Sequence, residues 1–390
     1  MTYINNNQDL GLLYDWNLIK KTFKKLKIPN DVYNPCKIDL SAYKYFINLS
    51  DRSAGKTTNW LLLGMVMNEL YGTEIQYIRQ RSDNITPKNT KDIFSTILSY
   101  DYVRKLTNNR WNSITYKARR WYYCNVDEDG VVKERCEKHF MFMCSVDKGE
   151  DLKSSYNAPL GDFIIFDEFI STYYYENEFI WFCDLVKTII RERQSPIIIM
   201  LANTIDKHSQ YFNELEIYEQ IQTLGQGENV SVTTRQGTRI YIEILGKTQE
   251  KEKKRSIINQ LFFGFKNPQL ASITGADWSI KNYPHIPKDE VQWLVNNLYI
   301  FHNDRYIRLD VVNNERLGVC VYCHWATKVY EDSIILTVQD QLDPRFRYKF
   351  GYGKMKNLLG TLITNGRIFY ASNDVGSFFD NYVKYCAKIS

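Results

Sequence analysis

The stretch Ser50–Thr58 (SDRSAGKTT) carries a glycine, a lysine and two hydroxyls at the spacing of a phosphate-binding loop. Such a loop needs glycine where the backbone bends round the phosphates, a lysine for the β- and γ-phosphates, and a hydroxyl for Mg²⁺. Gly55, Lys56 and Thr57 supply all three, Arg52, Ser53 and Ala54 form the turn before them, and Thr58 follows. Ser50 stands where the full pattern has glycine, and serine is less free to adopt positive φ. About 110 residues downstream, Phe163–Glu168 (FIIFDE) ends an apolar run with two carboxylates. An aspartate closing such a strand, here Asp167, holds Mg²⁺ through water or the loop hydroxyl. The adjacent Glu168 can polarise an attacking water as general base. Two ordinary strand-end carboxylates are the plainer reading, but the upstream loop favours an ATPase couple, with ATP and Mg²⁺ as its ligands.

Three further positions carry polar or cationic groups toward the same chemistry. Asn203 ends the apolar run MLAN and is placed to sense the γ-phosphate or the lytic water; a turn or helix cap is an equal alternative. Arg191 and Arg193 (IIRERQS) precede that run, and a guanidinium there can stabilise charge on a transferred phosphoryl group, often from a neighbouring subunit. A basic helix end in solvent is the other reading. Arg79 and Arg81, after a short apolar stretch, are expected to pack on adenine or contact phosphate.

These residues need a scaffold, and the apolar pattern describes one. Residues 45–49 read as a short buried strand entering the loop, 57–71 as a helix, 74–79 and 162–166 as strands, 175–190 as a helix, and 196–201 as another strand. Uninterrupted apolar strands alternating with helices predict a parallel sheet covered on both faces, with ligands at the carboxyl ends of its strands. All the candidate residues fall at those ends. Residues 12–27 form an amphipathic helix with a lysine-rich face, and 90–150 a helix and hairpin insert with its turn at Asp127–Gly130. A charged run at 247–255 and a short amphipathic helix at 256–263 separate this part from shorter strands beyond 290, followed by helices near 354–364 and 377–386. The expected division is residues 1–247, a connector 248–289, and a smaller α+β domain 290–390.

The 390 residues suffice for two domains. The net charge of +5 is a mild lean toward polyanions, well short of a histone-like protein. The 29 tyrosines can offer stacking surfaces, although core packing is the commoner use of such rings. No apolar run is long enough to span a membrane and the first residues do not form a secretion signal, so a cytoplasmic location is expected. The eight cysteines are scattered and read as buried free thiols. Cys320-Val-Tyr-Cys323-His324 matches a haem-attachment pattern, but it lies in an alternating run that reads as a strand, and a zinc site lacks a second ligand pair.

With the phosphate loop, YIRQR, IIFDEFI and RERQSPIIIMLAN in view, the chain resembles the DNA-packaging ATPases of phi29-like tailed phages, which push a genome into a preformed capsid. The resemblance implies a P-loop NTPase fold of the ASCE/RecA-like kind, an α/β parallel sheet with helices on both faces. It also implies a C-terminal domain similar to a vestigial RNase H-type nuclease. It gives Lys56 and Thr57 to ATP and Mg²⁺, Asp167 to the metal, and Glu168 to catalysis as base. Arg191 becomes a trans-acting arginine finger, with Arg193 at the neighbouring basic position and Lys153 facing the lumen of a ring. The implied partners are double-stranded DNA, the phage portal, further copies in a homomeric ring (a pentamer by resemblance) and a scaffold RNA. Asp310 sits suggestively on a strand of the second domain without an acidic partner set, so no DNA cleavage is expected there. The alternatives are a large terminase with a live nuclease, a translocase or helicase with the same ATPase parts, and a non-catalytic portal adaptor.

Overall fold

The computed structural model describes residues 14–50, 54–152, 160–170, 177–191, 196–203, 208–246, 283–286, 293–338, 343–351 and 353–386. Arg52, Ser53, Lys153 and Arg193, and the helix expected at 256–263, lie outside the described residues. The chain divides into two compact units; among the described residues, 208–214 and 283–386 fall in the second and the rest in the first. The sequence reading keeps 208–214 within the first domain.

The first unit is built on one large sheet. Its strands are β1 (Tyr45–Leu49), β2 (Ile75–Arg79), β3 (Ser113–Lys117), β4 (Arg120–Val126), β5 (Val132–Arg135), β6 (Met141–Ser145), β7 (Phe163–Asp167), β8 (Ile197–Ala202), β9 (Asn229–Thr233) and β10 (Arg239–Ile244). The order is β3-β4-β6-β2-β7-β8-β1-β10-β9, with β5 paired to β4. From β6 to β10 every pairing is parallel. The strand that enters the phosphate loop and the strand that ends in carboxylates are therefore not neighbours: β8 runs between them.

Helices are α1 (Trp16–Lys25), α2 (Lys56–Tyr71), short α3 (Pro87–Thr90), α4 (Ser95–Ser99) and α5 (Tyr102–Leu106), then α6 (Glu178–Ile190), α7 (Gln210–Glu214) and α8 (Tyr218–Thr223). Asp15 caps α1, its Oδ1 accepting the Leu18 N–H at 3.0 Å. Ile19 and Phe23 are buried while Lys21, Lys24 and Lys25 stay in water, which is the amphipathic helix the spacing predicts. The middle of α2 is buried all round, from Trp60 to Met67. Each such side chain contributes about 1.5–3 kcal/mol by leaving water. Gly64 permits this depth, since a Cβ there would lie 2.8 Å from Ile75 and Phe163 side-chain atoms. Phe163 and Ile165 join the cluster around α2, whereas Phe166 stacks on Phe182 of α6 at 4.8 Å. Helices thus cover both faces of the sheet, as continuous apolar strands require.

The sequence reading omits β9 and β10. Both alternate polar with apolar residues, and β10 is half-exposed along its length, so neither stands out as an apolar run.

In the second unit β11 (Trp293–His302), β12 (Arg305–Asn314), β13 (Gly318–Trp325), β14 (Ile335–Thr337), β15 (Phe346–Tyr348) and β16 (Ile368–Tyr370) form a sheet ordered β15-β14-β11-β12-β13-β16. β12 is antiparallel to both neighbours; β14 runs parallel to β11, β15 to β14 and β16 to β13. α9 (Gly353–Thr364) and α10 (Asn373–Cys386) complete it, packing Leu359, Leu362, Phe378 and Tyr382 with Ile300, Leu309 and Val321. All eight cysteines are free; Cys124, Cys144, Cys320, Cys323 and Cys386 are buried, but Cys183 on α6 is exposed. No helix is long and apolar enough to cross a membrane among the described residues.

Candidate functional site

The phosphate loop leaves β1 at Leu49. The next residue, Ser50, is 2% exposed, and its N–H donates to the Ala202 carbonyl at 3.2 Å, tying the loop's start to the end of β8. Gly55 closes the loop with φ of +76° and caps α2. A side chain is excluded there twice over: the left-handed backbone disfavours it, and a Cβ would come within 3.1 Å of Val32. Ala54 is buried, and its carbonyl accepts the Tyr33 N–H at 3.0 Å.

Lys56 and Thr57 open α2, with Thr58 half-buried behind them. The Lys56 ammonium is buried and donates to Ser50 Oγ at 3.0 Å and to Asn203 Oδ1. The hydroxyl at position 50 is thus an acceptor for the loop lysine, a role glycine cannot fill. Thr57 Oγ1 donates to Asp167 Oδ1 at 3.2 Å. Because β8 lies between β1 and β7, Asn203 stands between the loop and the carboxylates. Its Nδ2 donates to Glu168 Oε1 at 3.3 Å, so one amide joins Lys56 to Glu168.

The two acids are held from β2. Tyr77 donates to Asp167 Oδ2 at 2.6 Å. Arg79 divides its guanidinium, Nη1 reaching Asp167 Oδ2 at 3.0 Å and Nη2 reaching Glu168 Oε2 at 2.7 Å. Glu168 has φ of +54°, a conformation costly for a side-chain-bearing residue, and its N–H donates to Asp167 Oδ1 at 3.1 Å. Burial opposes charge on Arg79, but the facing Tyr77, Asp167 and Glu168 outweigh it and raise its pKa. Burial first, then the Asp167 charge, pushes the Tyr77 phenol well above its usual value. Both groups are therefore permanent donors to the acids.

The hydrogen-bonded group is Ser50, Lys56, Thr57, Tyr77, Arg79, Asp167, Glu168 and Asn203. The sequence reading sends Arg79 to adenine or phosphate, whereas the structure sets it on the carboxylates. It passes over Tyr77 and the Ser50 side chain altogether. Tyr77 was detectable, since it lies two residues before Arg79 and shares its face of the strand. Arg191 stands elsewhere, as the exposed C-cap of α6 with φ of +53°. Arg81 is exposed beyond the end of β2.

Thr57 Oγ1 and Asp167 Oδ1 form a hard oxygen pair of the kind that takes Mg²⁺ together with substrate phosphates and water. In the second unit Asp310 is engaged differently. Its Oδ1 accepts Arg308 Nε at 2.7 Å and its Oδ2 lies 3.1 Å from His324 Nε2. Among the described residues no group of three or more His, Cys, Asp or Glu side chains is placed to hold a metal ion.

No protein-family model matches the sequence, and no curated protein matches it. Solved structures do. The phi28 gp11 DNA packaging motor aligns with 93% of this chain and 99% of its own at a TM-score of 0.54 and 16% identity. The bacteriophage phi29 viral genome packaging motor assembly aligns with 91% of this chain and 99% of its own at a TM-score of 0.54 and 18% identity. Over nearly its whole length, therefore, the chain has the fold of phage genome-packaging motor proteins.

Proposed function

We propose that the chain is an ATP-driven double-stranded DNA translocase that packages a viral genome into a procapsid, working as a homomeric ring on the portal. One observation carries this reading: the phosphate loop, the Asp167–Glu168 pair and the bridging Asn203 are bonded together at the carboxyl ends of β1, β7 and β8. The whole-length likeness to packaging motors supports it.

Lys56 and the N–H groups at the start of α2, from Gly55 through Thr58, bind the β- and γ-phosphates of ATP, aided by the N-terminal dipole of α2. Thr57 and Asp167 would hold Mg²⁺, whose charge neutralises those phosphates. Glu168 accepts a proton as a water oxygen attacks the γ-phosphorus and the bond to the bridging oxygen breaks, releasing ADP. Arg79 and Asn203 fix Glu168 by its two oxygens, so the base is positioned before substrate arrives. Asn203 also contacts Lys56, which makes it the sensor between the γ-phosphate and the base. Arg191, exposed on its own subunit, acts on the neighbour's nucleotide as a finger, with Arg193 beside it. By the family resemblance, Arg52 and Ser53 are assigned to nucleotide binding and Lys153 to DNA.

The second unit is the RNase H-like domain of the family resemblance, bound to DNA or portal and not cutting. Asp310 is already paired with Arg308 and hydrogen-bonded to His324, which supports that assignment. A pentameric ring, a scaffold RNA and a site of action in the host cytoplasm belong to the same proposal. The test is the ATPase rate with and without double-stranded DNA for wild type, Lys56→Ala, Glu168→Gln and Arg191→Ala. DNA-stimulated turnover lost in all three variants is expected; wild-type protein without ATPase activity overturns the reading. Plasmid nicking with Mn²⁺ would establish the live-nuclease alternative instead. DNA affinity should fall steeply with salt and be indifferent to sequence.

A further inference from the structure

We propose that the β3–β4–β5 insert is a head-to-tail contact between copies of this chain, the basic turn of one copy meeting the acidic turn of the next. It rests on the ring reading above and names the surface that would build the ring.

The insert is polarised along β4. At one end the β3–β4 turn exposes Lys117 and Arg119, with Arg120 lying over the Phe142 ring at 5.1 Å. At the other, the β4–β5 turn exposes Glu128 and Asp129. Seven strand residues separate the two, roughly 20 Å at about 3.3 Å per residue. Among the described residues no ion pair engages Lys117, Arg119, Glu128 or Asp129.

Both turns hold a fixed shape. Ala118 and Arg119 have φ of 50° and 64°, so the tight turn is made by two residues that are not glycine, at a cost that Asn-Gly would avoid. The Arg119 carbonyl is pinned by the Met143 N–H at 2.8 Å, leaving the side chain outside. In the acidic turn Asp127 is used internally: Oδ1 accepts the N–H groups of Asp129 and Val131, and Oδ2 pairs with Lys133 at 2.7 Å. Glu128 and Asp129 are what remains to face a partner.

The register tells which end of the sheet each turn occupies. Arg120 pairs with Phe142 on β6, and Ser145 at the end of β6 sits beside Arg79. The basic turn is therefore at the carboxyl end of the parallel strands, with Asp167 and Glu168, and the acidic turn at the amino end. Next to the acidic turn, Val131 and Val132, which lead into and open β5, are 54% and 43% exposed, and among the described residues β5 pairs with β4 alone. Exposed valines on an open edge strand beside two carboxylates need a cover that is partly apolar and positively charged. DNA is neither. The chain carries the complementary charge on the opposite end of the same rigid element, which is the arrangement of a heterologous contact that repeats from copy to copy. Such a contact would bring the neighbour's amino edge alongside the catalytic edge, where a trans-acting arginine has to arrive.

The test compares wild type, Lys117→Glu/Arg119→Glu, Glu128→Lys/Asp129→Lys, and the variant carrying all four changes. Sedimentation velocity is run with a non-hydrolysable ATP analogue and double-stranded DNA, with thermal melts to verify folding. Each double variant should need about tenfold more protein to assemble, or fail to assemble, and the fourfold variant should recover. Fluorescent ATP binding to the monomer should be the same in all four. Wild-type assembly by either double variant, or no recovery in the fourfold variant, overturns the proposal. If Lys117→Glu/Arg119→Glu weakens DNA binding and leaves assembly intact, the turn is a DNA surface and the proposal fails. If wild type itself stays monomeric, the ring reading falls as well.

Discussion

Asp167 and Asp310 are both strand aspartates held by an arginine, yet only Asp167 is bonded to the residues of the phosphate-loop pattern. Asp310 lies in mid-strand on β12, where its partners come from a same-face neighbour, Arg308, and a cross-strand neighbour, His324. Burial raises its pKa, but the His324 and Arg308 hydrogen bonds together outweigh it and hold the carboxyl below its usual value. Those partners satisfy the acid. Asp167 closes β7, where the chain must turn, and a strand end leaves room for groups from two other elements: Thr57 of α2, and Tyr77 and Arg79 of β2. Its arginine is shared with Glu168, so one guanidinium holds both carboxylates in place. Groups from several elements converge at the ends of parallel strands, where sheets of this kind bind ligands, and a mid-strand aspartate meets only its own sheet neighbours.

The largest effect should come from the group outside this cluster. Arg191→Ala is expected to lower kcat by about 10³–10⁵-fold with ATP binding retained, and wild-type turnover would remove Arg191 from the mechanism. Glu168→Gln should cost about 10²–10⁴-fold in kcat with little change in KM, whereas Asp310→Asn should leave the ATPase rate within about twofold. A fall in the Asp310→Asn rate comparable to that of Glu168→Gln would erase the distinction between the two acids. Arg79→Lys keeps the charge but loses the fork that spans Asp167 and Glu168, so kcat should fall by about 10²-fold; Arg308→Lys should change stability alone. The smallest effect is on pH. Asp310 has a lowered folded pKa, so its contribution to stability is present above the ordinary carboxylate range and is lost as pH falls through the lowered value. Thermal melts from pH 6 to pH 3 should show Asp310→Asn less acid-sensitive than wild type; identical slopes would remove the contribution.

Much of the site is legible in the residues. Gly55-Lys56-Thr57 and FIIFDE declare themselves because phosphate and Mg²⁺ chemistry demands particular types at short spacing, and a buried parallel strand must be apolar on both faces. Arg79 was visible as a cation at a strand end, but its target was not. Whether it meets phosphate or carboxylate depends on which strand pairs beside β2, and that strand is β7. Tyr77 looked like one more core ring among 29 tyrosines. β9 and β10 are not legible in the sequence because half-exposed strands alternate and carry no apolar run.

The sequence by itself determined which groups stand at the strand ends: a glycine-lysine-threonine loop entered by one strand, a carboxylate pair ending another, and an amide ending a third. Tertiary structure alone decided that the third strand, β8, inserts between the other two, so that Asn203 reaches Lys56 across 147 residues and Glu168 across 35. The reason is physical. Residue type and periodicity act over a few positions, whereas the order of parallel strands is settled by long crossovers and by which faces bury one another, and no local window contains that choice.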